Sequence, residues 1–310
     1  MPELPEVEVV RAGLLPAVTG ATILGVEVLD ERALTRHAGD GVSFERAVTG
    51  RGVLTAARRG KFLWLPLTGI GGGSPAGDTG DAEAIVAHLG MSGQLLLRNV
   101  GADRERHERI RFHIAHPDHG ELAIVFADQR TFGSLAVDGL TLTADRAPGG
   151  WGTSRPLVPS QVAHIARDPL DPAFSDAEFR HRLGVRTSAI KRMLLDQTVV
   201  SVVGNIYADE SLWAARIHPE TPASALSTRA VNRLLLEIRV VLERALAEGG
   251  TSFDAQYVNV NGQAGYFAHS LRAYGRTGKP CPRCGRPIMR VAFTNRSSHY
   301  CAHCQRRPRA

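Results

Sequence analysis

Four cysteines constrain the last thirty residues more tightly than any other feature constrains the chain. They form two Cys-x2-Cys pairs separated by 16 residues, a spacing typical of four-cysteine zinc sites. Two thiolate pairs on tight turns can close a tetrahedron around Zn²⁺, and such closed sites are structural. The alternative is a reduced, metal-free tail. The spacing favours one structural zinc held by Cys281, Cys284, Cys301 and Cys304.

The charge of the chain indicates an anionic partner. Lys and Arg number 37 against 31 Asp and Glu, which gives a net charge of +6 and a pI near 9.5. Nucleic acid is the commonest partner of such a chain. The cysteine tail is itself basic, with arginines at positions 283, 286, 290, 296, 306, 307 and 309. No apolar run is long enough to span a membrane and the N-terminus is acidic, so we expect a cytoplasmic protein.

Residues 20–138 have the pattern of strands. Apolar and polar residues alternate over 23–29, and two further alternating runs flank a Pro-Asp-His-Gly turn at 117–120, which predicts a hairpin. The stretch 69–80 is rich in Gly, Ser and Pro and predicts a flexible surface loop. We expect an antiparallel β-sandwich with an N-terminal helix beside it.

The pattern becomes helical after a Pro/Gly-rich segment. Ser175 and Glu178 form a capping box, Ser188 is expected to cap a second helix, and helices follow at about 206–215 and 227–248. The fold class is therefore α+β and multidomain. The expected division is a sandwich domain at 1–140, a linker at 141–160, a helical domain at 161–258 and a C-terminal segment at 259–310.

The N-terminus can carry covalent chemistry. If Met1 is removed, Pro2 becomes a secondary amine able to attack a carbon at the aldehyde oxidation level. A terminal amine has a reference pKa of about 7.7–8.0, and the Glu3 carboxyl beside it could move protons. Pro5 suits the first turn of a helix that Pro16 should end. The alternative is that Met1 stays and the glutamates merely complement the helix dipole.

Six short motifs and the cysteine tail together resemble the formamidopyrimidine-DNA glycosylase family over nearly the whole chain. The resemblance implies a β-sandwich, a helix–two-turn–helix domain and a zinc-finger hairpin, with DNA bound between the lobes. The motifs are PELPEVE at 2–8, GK at 60–61, HLGMSG at 88–93, DQRTFG at 128–133, GNIYA at 204–208 and GYF at 265–267.

The resemblance assigns catalytic roles. It implies that Pro2 attacks C1′ of the damaged nucleotide and that Glu3 donates a proton. Lys61 matches the residue of the β-elimination step, and Arg296 matches that of the δ-elimination step. Without the resemblance, Lys61 would be interpreted as a solvated charge or a phosphate contact.

DNA contacts follow from the same likeness. A base inside a duplex must be flipped out before it is attacked, and the gap left behind must be filled. Met91, Arg130 and Phe132 match the filling residues, and the segment 258–267 matches a mobile loop over the extruded base. Gln129 and Thr131 depart from the family pattern and place a phosphate contact in doubt. His107 and Arg186 match further DNA-contact positions, and Asn205 lies at the start of a predicted helix, where backbone N–H groups can meet a phosphate.

The implied function is excision of oxidised purines, 8-oxoguanine and formamidopyrimidines, followed by β,δ-elimination at the abasic site. The partner is duplex DNA with oxidised or abasic lesions, bound by a monomer at the nucleoid of a bacterial cytoplasm. One alternative is an endonuclease VIII-like glycosylase for oxidised pyrimidines. The other is a zinc-finger protein that binds damaged DNA without catalysis.

Overall fold

The computed structural model describes residues 4–69, 82–250, 260 and 267–307, and it divides them into two compact units. The first unit runs through His164 and includes Val260. The second begins at Ile165 and includes the residues from 267 onward. Among the described residues, no helix has both the length and the apolar character that crossing a membrane requires.

The helices of the described residues are α1 (Leu4–Val18), α2 (Gly41–Val48), α3 (Asp176–Gly184), α4 (Ile190–Leu195), α5 (Asn205–Ala214) and α6 (Thr228–Ala247). The strands are β1 (Thr22–Val28), β2 (Ala57–Arg59), β3 (Phe62–Pro66), β4 (Glu83–His88), β5 (Gly93–Asn99), β6 (Glu108–His116), β7 (Gly120–Asp128), β8 (Ser134–Leu142), β9 (Leu157–Pro159), β10 (Met289–Phe293) and β11 (Arg296–Tyr300). Short 3-10 helices cover Glu31–Leu34, Ser160–Val162, Ala223–Ala225 and Phe267–Ser270.

The first unit is an antiparallel sandwich, as predicted. One sheet has the order β1-β6-β7-β5 and the other the order β2-β3-β4-β8-β9. The predicted hairpin is confirmed as β6–β7, in which Ile110, Phe112 and Ile114 face Phe126, Ile124 and Leu122. Burial of apolar side chains between the sheets is the main stabilising term of this unit. Its core includes Leu14, Ile23, Phe44, Leu63, Ile85, Phe112 and Phe126.

Helix α1 packs on this core, but the prediction that Pro16 ends it was wrong. Pro5 lies in the first turn as expected, and the helix continues past Pro16 to Val18. A proline near the end of a helix removes one backbone hydrogen bond. Val18 is completely buried, and Thr19 caps the last turn by donating to the Leu15 carbonyl through its N–H and its hydroxyl. Burial of the last turn therefore outweighs the lost bond.

Two neighbouring crossovers connect the sheets. The loop 89–92 leads from β4 in one sheet to β5 in the other, and the loop 129–133 leads back from β7 to β8. His88 pairs with Ser134, and Gly93 pairs with Asp128. Because the strands that flank the two loops are paired, both loops lie at the same end of the sandwich.

In the second unit the predicted N-cap at Ser175 is confirmed, whereas the predicted cap at Ser188 was wrong. The Ser175 hydroxyl accepts from the Glu178 N–H at the start of α3. Helix α4 begins after Ala189 without a side-chain cap. Its first N–H groups, those of Ile190 and Lys191, donate instead to the carbonyls of Thr221 and Pro219. The adjacent turn thus provides the acceptors that a cap would provide.

Helix α6 begins after its N-cap Ser227 and buries one face, as its periodicity predicts. Of the residues 141–160, the first two complete β8, and β9 pairs with that strand. The stretch 69–80, apart from its first residue, lies outside the described residues. The buried face of α6 comprises Val231, Leu234, Leu235, Ile238, Leu242 and Ala245.

Candidate active site and nucleic-acid interface

The two N-terminal candidates, Pro2 and Glu3, lie outside the described residues, as does the segment 258–267 except for Val260 and Phe267. The described chain begins with an anchored helix. Leu4 and Val7 of α1 are both completely buried, and Val7 belongs to the sandwich core. The residues that follow Pro2 and Glu3 are therefore held firmly.

A buried ion pair joins this helix to the strand that leads to Lys61. Glu8 Oε2 accepts from Arg58 Nε at 2.5 Å, and Glu8 Oε1 accepts from Arg11 Nη2 at 2.6 Å. Arg58 is 1% exposed. Burial opposes ionisation of Glu8, but the two guanidinium groups outweigh it and lower the pKa of this carboxyl. Glu8 is therefore ionised and connects α1 to β2.

Lys61 lies at the turn between β2 and β3. Arg59 pairs with Phe62 across the turn, and Gly60 has a φ of +62°, a left-handed conformation that glycine adopts without strain. The Lys61 side chain is half-buried. The turn thus places the Lys61 ammonium at the end of the β2–β3 hairpin. The ion pair between Glu8 and Arg58 joins β2 of this hairpin to α1.

His88 is a neutral neighbour of this ammonium. Burial, together with the positive charges of Arg36 and Lys61, lowers the pKa of His88 to about 4. Its ring packs against Phe62 with centroids 4.9 Å apart, and Nδ1 accepts from the Gly90 N–H at 3.3 Å. His88 therefore shapes the loop 89–92 and adds no positive charge.

The three filling candidates, Met91, Arg130 and Phe132, lie on the two crossover loops, which Asp128 holds together. Asp128 is 1% exposed, and it accepts from the Ser92 hydroxyl at 2.5 Å and from the Gly133 N–H at 2.7 Å. It also accepts from the Arg130 N–H at 3.1 Å. Buried carboxylates with several donors fix backbone geometry strongly. This carboxylate therefore sets the conformation of both loops.

Gly90 allows the two loops to approach each other. It has a φ of +61°, and a Cβ added there would lie 2.4 Å from the Gly133 nitrogen and 2.5 Å from the Phe132 carbonyl carbon. Any side chain at this position would push the loops apart. Phe132 beside it is 60% exposed, an unusual exposure for a large aromatic ring, and Arg130 is exposed as well. The protruding ring has the form of a wedge.

His107 lies beside a cleft of about 380 Å³ in the same unit. It has a φ of +65°, and its carbonyl accepts from the Asp128 N–H at 2.9 Å. Non-glycine residues in this conformation are uncommon and often lie at functional sites. The cleft is lined by polar groups that include Gln94, Arg106 and Gln129. His107 is thereby hydrogen-bonded to Asp128, the residue that holds the two crossover loops together.

The remaining candidates belong to the second unit. Arg186 is exposed after α3, and Asn205 is the first residue of α5, where free backbone N–H groups favour an anion. Arg296 is exposed at the first position of β11 and pairs with Phe293 across a two-residue turn. Thr294 in that turn has a φ of +52°. Arg296 therefore lies at the tip of the β10–β11 hairpin.

The four cysteines come together in this unit and fit a tetrahedral metal. Their sulfurs all lie within 4.8 Å of one another, and Cys284 Sγ is 3.5 Å from Cys301 Sγ. Zinc–sulfur bonds of about 2.3 Å place the sulfurs of a tetrahedral site at such separations. The Trp213 indole N–H donates to Cys281 Sγ at 3.4 Å, a contact of the kind that orients metal ligands.

The thiol pKa values also favour a cation. Burial opposes ionisation of Cys281, but the Trp213 indole and two backbone N–H groups outweigh it and lower its pKa to about 6. Burial and the neighbouring thiols raise the pKa of Cys304 to about 12. Four thiolates in one cluster repel one another, and a divalent cation removes that cost.

Sequence reasoning did not identify the residues that support these candidates. Asp128 is the first residue of the motif at 128–133. Its position before a turn was the only sign in the sequence that its side chain holds the loop. Lys191, Asp209 and Trp213 have no signal of their own, since each lies in an ordinary helical pattern. Their roles depend on contacts with residues at least 18 positions away.

Three family models match the chain in order. The model of the formamidopyrimidine-DNA glycosylase N-terminal domain matches residues 1–135, and that of the H2TH domain of the same glycosylase matches residues 165–256. The model of the zinc finger found in FPG and IleRS matches residues 278–307. The cysteine cluster is accordingly a structural zinc site that binds one ion.

Whole proteins match as well. The chain is 63% identical over 306 residues to formamidopyrimidine-DNA glycosylase of Leifsonia xyli subsp. xyli, a match that covers 99% of this chain and 100% of the relative. It is 52% identical over 309 residues to the glycosylase of the same name from a Nocardioides species, with 100% and 96% covered.

Solved structures agree with these relatives. The chain resembles Lactococcus lactis Fpg in complex with DNA that contains an abasic site, with a TM-score of 0.76, 29% identity and coverage of 99% of this chain and 100% of that one. A complex of the same Fpg with DNA that contains an oxidised pyrimidine gives a TM-score of 0.75 and 30% identity, with the same coverage. Since the family models follow the sandwich, the helical unit and the cysteine tail in turn, and the Leifsonia relative matches from end to end, the chain belongs to the formamidopyrimidine-DNA glycosylase family.

Proposed function

We propose that this DNA glycosylase of base excision repair removes 8-oxoguanine and formamidopyrimidines from duplex DNA through Pro2, and then cuts the strand on both sides of the abasic site. The observation that carries the proposal is the pair of crossover loops, which hold Met91, Arg130 and Phe132 at one end of the sandwich. Proteins insert apolar side chains of this kind into a duplex to hold it kinked or open.

The chemistry begins with Pro2 as the terminal residue, after removal of Met1. Its nitrogen bonds to C1′ of the damaged nucleotide, and the C1′–N9 bond breaks. The oxidised base leaves with the electron pair of that bond and takes up a proton. Opening of the sugar ring needs a proton on O4′, which Glu3 supplies, and the product is an iminium ion.

The iminium then drives two eliminations. Loss of the C2′ proton breaks the C3′–O bond, and loss of the C4′ proton breaks the C5′–O bond, so that each flanking strand keeps its phosphate. Water finally hydrolyses the iminium and frees Pro2. Lys61 serves the first elimination and Arg296 the second. The hairpin that links Lys61 to α1 through Glu8 and Arg58 supports the first assignment.

The other candidates bind the DNA. Arg130 pairs with the base left opposite the lesion, while Met91 and Phe132 fill the gap. His107, Arg186 and Asn205 contact phosphates, a role that the exposed Arg186 and the N-terminal position of Asn205 on α5 support. The zinc, held by the four cysteines, is structural and takes part in no chemical step. We place the enzyme, acting as a monomer, with the nucleoid in the bacterial cytoplasm.

Borohydride trapping tests the covalent step. Protein whose N-terminus is confirmed by mass spectrometry to be Pro2 is mixed with an 8-oxoguanine:cytosine duplex and reduced. We expect a cross-linked complex from wild type and far less of it from Pro2→Gly. The matched control is Pro159→Gly, a change at the end of β9 that should leave trapping intact. Failure of the processed protein to cross-link, or cleavage by Pro2→Gly at the wild-type rate, would contradict the proposal.

Oxidised pyrimidines are a second candidate substrate class. The observation in their favour is the solved complex of the Lactococcus relative with DNA that contains an oxidised pyrimidine. Single-turnover cleavage of 8-oxoguanine:cytosine and thymine-glycol:adenine duplexes, measured in parallel, separates the two. We expect the purine lesion to be cut faster. Faster cleavage of thymine glycol would assign the chain an endonuclease VIII-like preference.

A further inference from the structure

A lysine lies completely buried directly beneath the hairpin that carries Arg296. Lys191 of α4 is 0% exposed, and it is one of only three lysines in a chain that is rich in arginine. Its Nζ donates to Asp209 Oδ1 at 2.6 Å and to the Ser297 carbonyl at 2.9 Å. A buried charge is costly unless it is paired, so a lysine at such a position needs a reason.

The contacts of Lys191 lie on both sides of the hairpin tip. Ser297 follows Arg296 in the chain, and Phe293 is the residue that pairs with Arg296 across the turn. The Lys191 ammonium donates to the carbonyl of the first and lies 5.3 Å from the ring centroid of the second. The buried Lys191 ammonium therefore contacts both the residue that follows Arg296 in the chain and the residue that pairs with Arg296 across the turn.

Asp209 completes the attachment further along the strand. Its Oδ2 accepts from the backbone N–H of His299 at 2.8 Å, and the His299 ring lies 3.3 Å away through Nδ1. Asp209 is 1% exposed and belongs to α5, the helix that begins at the proposed phosphate contact Asn205. The strand β11 is thus held by two charged groups from α4 and α5. Its ladder with β10 supplies further hydrogen bonds.

We propose that Lys191 and Asp209 are positioning residues for Arg296 and determine how efficiently it promotes δ-elimination. The inference rests on the role proposed above for Arg296. A side chain at the end of a two-residue turn depends on its backbone for its position, and an error of about 1 Å costs about a hundredfold in rate. The ion pair between Lys191 and Asp209 fixes the backbone beside Arg296. We expect the steps at Pro2 to proceed independently of this ion pair.

The product distribution on an abasic duplex tests this inference. Lys191→Met keeps the length of the side chain and Asp209→Asn keeps its shape, while each removes the ion pair. We expect the ratio of δ- to β-elimination products to fall about ten- to hundredfold in both variants, with borohydride trapping within about threefold of wild type. Lys279→Met, which removes an exposed lysine of the same unit, should keep the wild-type ratio.

A double variant separates positioning from general damage. Arg296→Gln should lower the δ-to-β ratio by itself, and adding Lys191→Met to it should lower the ratio no further. Zinc content is measured for every variant. If Lys191→Met and Asp209→Asn fail to fold, Phe293→Leu keeps the ion pair but removes the ring, and it should lower the ratio about threefold.

The outcomes are distinct. A wild-type ratio in Lys191→Met, or in Phe293→Leu where that variant replaces it, would overturn the positioning role, as would a further multiplicative loss in the double variant. A wild-type protein that traps on DNA but forms no δ product would overturn it too. A wild-type protein that does not trap at all would instead contradict the proposed function.

Discussion

The Glu8 carboxylate accepts a hydrogen bond of 2.5 Å from the Arg58 guanidinium, and this contact joins helix α1 to strand β2. The residues are 50 positions apart, and Arg58 is almost inaccessible to water. On one side of the pair lies the helix that follows Pro2, and on the other the turn that carries Lys61. The ion pair therefore connects the helix that follows Pro2 in the sequence to the strand that precedes Lys61.

Arg58→Met should destabilise the first unit strongly, because it leaves the buried Glu8 carboxylate without its closest partner. Since Arg11 still donates to Glu8, the expected loss in the free energy of unfolding is about 1–3 kcal/mol, measured by urea titration. Arg104→Met is the matched control, since Arg104 pairs with Glu27 at 2.9 Å with both side chains exposed. It should cost less than about 1 kcal/mol. Equal losses in the two variants would contradict the importance assigned to burial.

Asp128→Asn should impair base extrusion more than strand cleavage. The change weakens the acceptor of the Ser92 hydroxyl and of two backbone N–H groups, so both crossover loops lose their common anchor. Loss of about 1–3 kcal/mol of loop stability predicts a fall of about five- to hundredfold in single-turnover excision of 8-oxoguanine.

Cleavage of a pre-formed abasic site, where no base must be extruded, should change less than about threefold in Asp128→Asn. Asp138→Asn is the control, because Asp138 accepts from the Ser160 hydroxyl and the Gln161 N–H at a site away from the crossover loops. Equal losses on both substrates would argue against a role in extrusion.

His88 should titrate near pH 4 in NMR spectra of the folded protein, well below its ordinary pKa of 6.5. Between pH 6.5 and pH 4 the imidazole of His88 is protonated in the unfolded chain and neutral in the folded chain. The contribution of His88 to stability is therefore complete above pH 6.5, decreases as the pH falls through this window and is constant below it. Titration near pH 6.5 in the native protein would contradict the predicted environment.

Lys61→Met should raise the pKa of His88, because one of the positive charges that oppose its protonation is removed. The shift is measured by the same NMR titration. Arg106→Met removes a positive charge at an exposed position beside the cleft and should leave the His88 titration unchanged. An unmoved pKa in Lys61→Met would show that the ammonium does not lie close to the imidazole.

Removal of zinc should unfold the hairpin that carries Arg296 and abolish δ-elimination, while the sandwich keeps its own unfolding transition. Structural zinc contributes directly to folding in finger domains. Trp213 reports the loss, since its indole N–H donates to Cys281 Sγ, and Trp213→Phe identifies its share of the fluorescence change. Full δ-elimination activity in chelated protein, with zinc measured as absent, would contradict this expectation.

Features carried by neighbouring residues were predictable from the sequence. The β6–β7 hairpin, the Ser175 cap, the apolar face of α6 and the cysteine pairs all depend on residue types at fixed short spacings. The order of the motifs along the chain likewise identified the family. Such signals are local, so they can be recognised without knowing which distant segments meet.

Contacts between distant segments were decided only by the tertiary structure. Pro16 remains helical because Val18 is buried, and α4 begins without Ser188 because the turn that contains Pro219 and Thr221 supplies carbonyls. Asp128 holds two loops, and Lys191 supports the tip at Arg296, because folding brings them within about 3 Å of their partners. Desolvation makes each of these contacts strong, and the residues that desolvate them come from other parts of the chain.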